Sequence, residues 1–266
     1  MSLSDLTGGR DLGRLGRAFA LRFDDQTGLL RRLGLRLTFH PPYLERGAVF
    51  IHVPKAAGNT VTRTIYGSAS HELGGHATAR LYHRANPALA RRLHFFAFVR
   101  NPFDRFHSAF YFLNAGGMPR FDAQFAREVL GPVGSFAGFV RRMGEDAAFR
   151  DTVLGYLHFM PHTHFLCDRR GRLLVDQLCY YEHFDAEMDG LCARFGIDNP
   201  GLVANPTREK DASLAQDMTP EAIALVQHLY AEDFRLLGYD TRFDAGALGP
   251  VRAAAGATRA LRAASA

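Results

Sequence analysis

Short, mostly apolar runs alternate along this chain with segments whose apolar positions recur every three or four residues. Ala48-Val49-Phe50-Ile51-His52-Val53 and Phe95-Phe96-Ala97-Phe98-Val99 are runs of the first kind. Each is too short for a helix and rich in β-branched or aromatic residues, so each predicts a strand buried on both faces. Stretches of the second kind follow them. Helices are predicted over about 59–66, over 77–92, and from Phe103 to Leu113, with Phe106, Phe110 and Leu113 on one face. Apolar strands separated by helices predict a parallel sheet covered on both sides, an α/β fold.

Residues 121–160 read as helical and loop-rich with many phenylalanines. Phe165–Cys167 and Leu173–Val175 flank Asp168-Arg169-Arg170-Gly171-Arg172, the pattern of a β-hairpin. Phe184 to Phe195 reads as a helix closed by Gly196, and residues 199–217 as polar loop. Thr219-Pro220-Glu221 opens a last helix with a cap, a first-turn proline and an early acid. Ile223, Val226, Leu229 and Tyr230 form its buried stripe, and the pair Glu232-Asp233 reads as a solvated face.

At the ends the pattern changes. Residues 1–47 alternate Leu and Phe with Arg and predict a basic amphipathic helical extension, stopped by His40-Pro41-Pro42. It would pack on the domain, lie against a membrane surface or form a disordered extension. Residues 245–266, an Ala/Gly/Arg tail with no apolar face, are expected to be disordered. The expected domain is therefore 48–244.

Composition narrows the class. With 266 residues, 47% hydrophobic and 22% charged, the chain is globular and long enough to bury a core without disulfides. Cys167, Cys179 and Cys192 are odd in number and widely spaced, which disfavours a disulfide framework or a zinc site and fits a cytoplasmic protein. Arg10, Arg14, Arg17 and Arg22 interrupt any secretory apolar core.

The net charge of +5 suggests nucleic acid or membrane, but its distribution does not. Residues 1–47 and 245–266 carry +3 each, leaving 48–244 at −1. Within that body, 48–110 carries +6 and 151–244 carries −8. Such concentration predicts a local anion site rather than a nucleic-acid surface. Of the 32 basic residues only Lys55 and Lys210 are lysines, so Lys55 stands out as a point donor in an arginine-using chain.

Lys55 lies in Pro54-Lys55-Ala56-Ala57-Gly58-Asn59-Thr60, between a predicted strand and a predicted helix. Backbone N–H groups and the dipole at a helix N-terminus favour an anion. Gly58 permits close approach, Lys55 adds an ammonium and Thr60 a hydroxyl. The lysine precedes the glycine by three positions, unlike the ATP-type loop, and no magnesium-binding acid is evident. The bland alternative is an ordinary turn. The second constellation is Arg100-Asn101-Pro102-Phe103-Asp104-Arg105-Phe106-His107-Ser108, an arginine at a strand end and a hydroxyl two turns into the next helix. It suits a second phosphate. The bland alternative is a surface salt bridge of Arg100 with Asp104 or Glu72.

Together the two motifs resemble the carbohydrate sulfotransferase family that includes bacterial members of the family 2 type and the uronyl 2-O-sulfotransferases of heparan and dermatan sulfate. The first is similar to the family's 5′-phosphosulfate loop, with Ala56 and Asn59 in place of the usual threonines. The second is similar to its 3′-phosphate motif, with Arg100 and Ser108 at the same separation. Gly75–Ala79, Phe110–Leu113, Phe165–Asp168 and Tyr230–Phe234 add to the resemblance, which covers roughly 48–240.

The resemblance implies a three-layer P-loop-like fold with a central, mainly parallel sheet flanked by helices. It implies 3′-phosphoadenosine 5′-phosphosulfate as donor, adenosine 3′,5′-bisphosphate as product, and a saccharide or glycoconjugate hydroxyl as acceptor, with no metal expected. Donor contacts would come from Lys55, Ala56, Ala57, Gly58, Asn59, Thr60, Arg100 and Ser108. A late loop holding Asn205, Thr207 and Lys210 would reach the 3′-phosphate. Lys55 would stabilise the leaving group, and His76, at the position of the family's catalytic histidine, would take the acceptor proton. His71 and His52 are alternative bases. His158, His162 and His164 read as a metal site, an acceptor wall or structural residues. The alternatives to this whole reading are a P-loop small-molecule kinase, or a polyanion- or membrane-binding adaptor. A bacterial enzyme in the cytoplasm, with peripheral contact at the inner membrane through 1–47, completes the expectation.

Overall fold

The computed structural model describes residues 39–67, 73, 75–119, 121–201 and 208–251. The helices expected within 1–38, together with His71, Glu72, Asn205 and Thr207, lie outside the described residues. Three strands, β1 (Ala48–Phe50), β2 (His94–Val99) and β3 (Gln177–Tyr180), form a parallel sheet in the order β1-β2-β3. Val49 stands opposite Phe95, Phe96 opposite Gln177 and Val99 opposite Tyr180. Only the first residue of β2 and of β3 escapes full burial.

The alternation of side chains along β2 identifies what covers each face. Phe96 and Phe98 meet Phe195 and Phe184, at ring-centroid distances of 5.9 and 5.3 Å. Phe95 points the other way and meets Tyr82 and His83, at 6.0 and 4.7 Å. Helices therefore pack on both faces of the sheet. Parallel strands need such crossovers, because a hairpin cannot join them.

The first crossover runs through α2 (Gly58–Tyr66), α3 (Ala79–Ala85) and α4 (Pro87–Ala90), after a short entry helix α1 (Pro41–Arg46). Strand β1 ends earlier than its apolar run. The Ile51 N–H still donates to the Phe96 carbonyl (2.8 Å), and the chain then leaves the ladder for the Lys55 loop. Pro41 and Pro42 open a helix rather than ending one, since proline suits the first helical turn. The helix expected over 77–92 is two helices. Asn86 ends α3, and its side chain accepts the Leu89 N–H to start α4, with Pro87 between.

Asn101 caps α5 (Pro102–Asn114) by accepting the Phe103 N–H at 3.0 Å. Phe106 and Phe110 then pack against Phe136 and Phe139 of α7 (Phe136–Glu145). Between α5 and α7 lies α6 (Phe121–Phe125), extended by a π turn and a 3₁₀ turn, and α8 (Ala147–Leu154) follows α7.

Two expectations fail here for one reason, bonds made across long sequence distances. Phe165 and Leu166 end a helix, α9 (His162–Leu166), rather than opening a hairpin; only a Cys167–Leu173 bridge remains of that pairing. The Asp233 carboxylate accepts the N–H groups of His162 and Thr163 (2.7 and 2.9 Å) and caps α9 from 70 residues away. The next strand is instead β3. Asp233 is thus not on a solvated face: it lies on α13 (Ala231–Leu237) and is 0% exposed, while Glu232 pairs with Arg235 in solvent.

Helix α10 (Phe184–Phe195) closes at Gly196 as expected. The segment expected to be loop holds α11 (Arg208–Asp217), joined to α5 by the Asp217 carboxylate, which accepts from Tyr111 (2.6 Å) and bonds His107 (2.9 Å). Thr219 caps α12 (Pro220–Leu229), in which Val226 is buried but Ile223 and Leu229 only partly so.

The packed body starts before Ala48 and runs past Asp244. Phe39 and Tyr43 are buried ahead of β1. Of the tail expected to be disordered, residues 245–251 are held to the body. The Leu248 carbonyl accepts from the Asn101 amide, and the Val251 N–H donates to Gly238. The three cysteines are free and buried. Among the described residues no helix is long and apolar enough to cross a membrane.

Candidate active site

The C-terminal ends of parallel strands are where open α/β sheets bind ligands. At the end of β1 the chain makes a turn with two left-handed residues that are not glycine, Lys55 (φ 67°) and Ala57 (φ 59°). Each costs about 1–2 kcal/mol, so the surroundings must hold them. Ala57 starts α2 and offers no capping side chain. The first backbone N–H groups of α2, at Gly58, Asn59 and Thr60, have no acceptor within the helix and carry the positive end of its dipole. Ala56 is buried beneath them, Asn59 is exposed and Thr60 half-buried. The Lys55 ammonium lies 3.7 Å from the centroid of the Phe112 ring.

Gly58 is required for space rather than for backbone freedom. A Cβ placed there would lie 1.8 Å from His52 Nε2. The His52 ring fills that position and lies 4.2 Å from the ring of His76. The His52 carbonyl accepts a hydrogen bond from His76 Nδ1 at 2.8 Å. Because a carbonyl only accepts, Nδ1 carries the proton and Nε2 keeps the lone pair. Burial lowers the pKa of His76 to about 4, opposed by that hydrogen bond and by the Asp122 charge. His76 is therefore a neutral imidazole at neutral pH, with its tautomer set and Nε2 able to take a proton. Burial pushes His52 well below the usual imidazole range, so it is also neutral.

Arg100 follows β2 and is 3% exposed. Its Nε and Nη2 bond Asp104 Oδ2 at 2.6 and 2.5 Å, and Nη1 donates to the Lys55 carbonyl at 3.0 Å. Its guanidinium lies 4.2 Å from the centroid of Tyr181. The Arg100–Asp104 pair is thus a buried brace, not a surface salt bridge. Three of its five N–H donors are used in these contacts. Ser108, one helical turn beyond Asp104, is buried on the same face of α5.

The three late histidines separate. His162 and Asp233 are both fully buried, with His162 Nδ1 donating to Asp233 (2.9 Å) and Nε2 accepting the Arg100 N–H (3.2 Å). Burial holds His162 neutral, at about 4, with Arg105 adding to the effect and Asp233 opposing it. His158 donates through Nε2 to Asp122 (3.1 and 3.2 Å), and its ring meets Phe112 at 5.0 Å. Burial would raise the Asp122 carboxyl, but donation from His158, Tyr156 and the Met118 N–H brings it down to about 2. His164 packs beside Phe165. Among the described residues no group of three or more His, Cys, Asp or Glu is arranged to hold a metal.

The structure therefore gathers Lys55, Ala56, Ala57, Gly58, Asn59, Thr60, His76 and Arg100 around the ends of β1 and β2, with Ser108 along α5. Lys210 lies in α11, whose end is tied through Asp217 to His107, the neighbour of Ser108. Thr207 lies outside the described residues. Sequence reasoning missed Asp122, the space that His52 takes at Gly58, and the link from Arg100 to the lysine loop. None has a local signal, since each partner is distant in sequence.

Compared with known proteins, residues 45–240 match the model of a family described as Sulfotransferase family. No curated protein and no solved structure matches the chain.

Proposed function

Since the chain belongs to the sulfotransferase family, we propose that it moves a sulfuryl group from 3′-phosphoadenosine 5′-phosphosulfate to a hydroxyl of a saccharide or glycoconjugate. The observation that carries this reading is the convergence of three groups. Lys55 precedes the uncapped start of α2, Arg100 braces the Lys55 carbonyl, and His76 hangs from His52, which packs against Gly58.

The donor brings an electrophilic sulfur and a phosphate leaving group. The chain supplies position and charge. The N–H groups of Gly58, Asn59 and Thr60 and the Lys55 ammonium bind the 5′ end and stabilise charge on the departing phosphate oxygen. Arg100 and Ser108 bind the 3′-phosphate, with Thr207 and Lys210 closing over it. The tie of α11 to α5 beside Ser108 supports that closure. His76 Nε2 takes the acceptor proton as the acceptor oxygen bonds to sulfur and the bond to the 5′-phosphate breaks. The products are the sulfated acceptor and adenosine 3′,5′-bisphosphate. Anionic donor groups at a helix start and a basic strand end fit the charge found there, and the chemistry needs no metal.

The three-layer P-loop-like arrangement belongs to the same proposal, supported by helices on both faces of the parallel sheet. So does a cytoplasmic setting, supported by three free, buried thiols. The test is transfer of radiolabelled sulfate from the donor to a panel of uronic-acid and hexosamine oligosaccharides. Lys55→Ala and His76→Ala should each lose about 100-fold or more. Unchanged rates would refute the assigned roles, and transfer confined to non-sugar acceptors would refute the saccharide.

A further inference from the structure

Lys55 is left-handed without being glycine, so something outside the residue holds its backbone there. Its carbonyl accepts from Arg100 Nη1. The guanidinium reaches that carbonyl because its other edge is taken by Asp104, with both Nε and Nη2 on one carboxylate oxygen. Asp104 is 7% exposed and lies in the first turn of α5, whose start is capped by Asn101. The backbone of Arg100 is fixed as well, through His162 and then Asp233. A buried chain of hydrogen bonds thus runs from α5 through Arg100 to the peptide that carries the loop's lysine.

We propose that Asp104 is a positioning residue for Lys55, acting through Arg100. Asp104 orients the guanidinium, the guanidinium holds the Lys55 carbonyl, and the left-handed backbone so held aims the ammonium at the 5′ end of the donor. The role rests on the donor-binding reading above. It gives Arg100 a second task besides the 3′-phosphate, and it explains why a costly conformation persists at a lysine. Misplacement of a reacting group by about 1 Å can cost on the order of 100-fold, so such a brace has kinetic weight.

Asp104→Asn keeps the shape and one accepting oxygen but removes the charge. Calorimetric titration with adenosine 3′,5′-bisphosphate compares wild type, Asp104→Asn, Lys55→Ala and the double variant. The proposal expects Asp104→Asn to weaken binding about 10-fold in the wild-type background and less than about 2-fold beside Lys55→Ala, because its effect passes through the lysine. An equal loss in both backgrounds would place the effect on the fold or on Arg100's own phosphate contact and overturn the proposal. No loss in either would do the same.

Hydrogen exchange of residues 54–61 in the ligand-free protein separates this idea from the functional reading. Faster exchange in Asp104→Asn, confined to that segment, supports the brace even if wild type binds no bisphosphate. Unchanged exchange overturns it.

Discussion

Replacing Gly58 by alanine puts a methyl group where the His52 imidazole lies. The backbone at Gly58 is helical, so alanine is conformationally acceptable, and helix propensity alone favours the change by up to about 1 kcal/mol. Sterics decide otherwise. The new Cβ would lie 1.8 Å from His52 Nε2, 2.0 Å from Cδ2 and 2.6 Å from Cε1. Ordinary contact begins at 3.4 Å, so the ring must retreat by about 1.6 Å. It has little room, with Phe50 stacked at 5.6 Å and His76 at 4.2 Å. Overpacking of this kind costs roughly 1–3 kcal/mol. For a chain of this size that lowers the melting temperature by roughly 2–8 °C. Because the His52 carbonyl orients His76, sulfuryl transfer should fall further than stability does. The assay is thermal unfolding of Gly58→Ala, His52→Ala and the double variant, with transfer rates measured below the transition. Removal of the His52 ring should make Gly58→Ala nearly harmless. If Gly58→Ala melts with wild type, or if the double variant shows the sum of the single losses, the steric argument is wrong.

Other consequences follow from the same contacts. Ala57→Gly relieves a left-handed alanine at some entropic cost, so unfolding free energy should stay level or rise by up to about 1 kcal/mol in urea titrations. Asp233→Ala strips the partner from His162 Nδ1 and from two backbone N–H groups. It should cost about 3–5 kcal/mol by urea unfolding, and a loss under 1 kcal/mol would contradict the capping role given to Asp233. Burial holds both His76 and His162 at about 4 instead of 6.5. Between those values the unfolded chain binds more protons than the folded one. Stability is therefore full above pH 6.5 and falls as pH drops toward 4, by on the order of 2–3 kcal/mol for His162 and less for half-buried His76. Urea midpoints that stay flat between pH 6.5 and 4.5 would contradict this.

What could be read from sequence was local. The two apolar runs hold β1 and β2, though β1 stops at Phe50; the Gly196 stop and the Thr219 cap fall where expected, and Asn101-Pro102 opens α5. These signals act within a few residues. The failures share the opposite property. The pattern of Phe165–Val175 predicts a hairpin, yet Asp233 caps its first arm as a helix. The polar stretch 208–217 has little apolar patterning, and its end is held by Tyr111 and His107, some 106 and 110 residues away. β3 has only Leu178, Cys179 and Tyr180 as an apolar signal, and its strand geometry comes from pairing with β2. The site divides in the same way. The lysine loop and the arginine at the strand end stand out as motifs. Their union through the Lys55 carbonyl, and the mounting of His76 on His52, needed the fold.

In the proposed function the Lys55 loop and the end of β2 bind the two phosphates of the donor nucleotide. Calorimetric titration with adenosine 3′,5′-bisphosphate tests it most directly, run beside magnesium-ADP on wild type and on Lys55→Ala. Bisphosphate binding should be indifferent to chelator, about 10-fold or more weaker in Lys55→Ala, and stronger than that of magnesium-ADP. Equal or tighter binding of magnesium-ADP, or affinity for the bisphosphate unchanged by loss of the lysine, would contradict it.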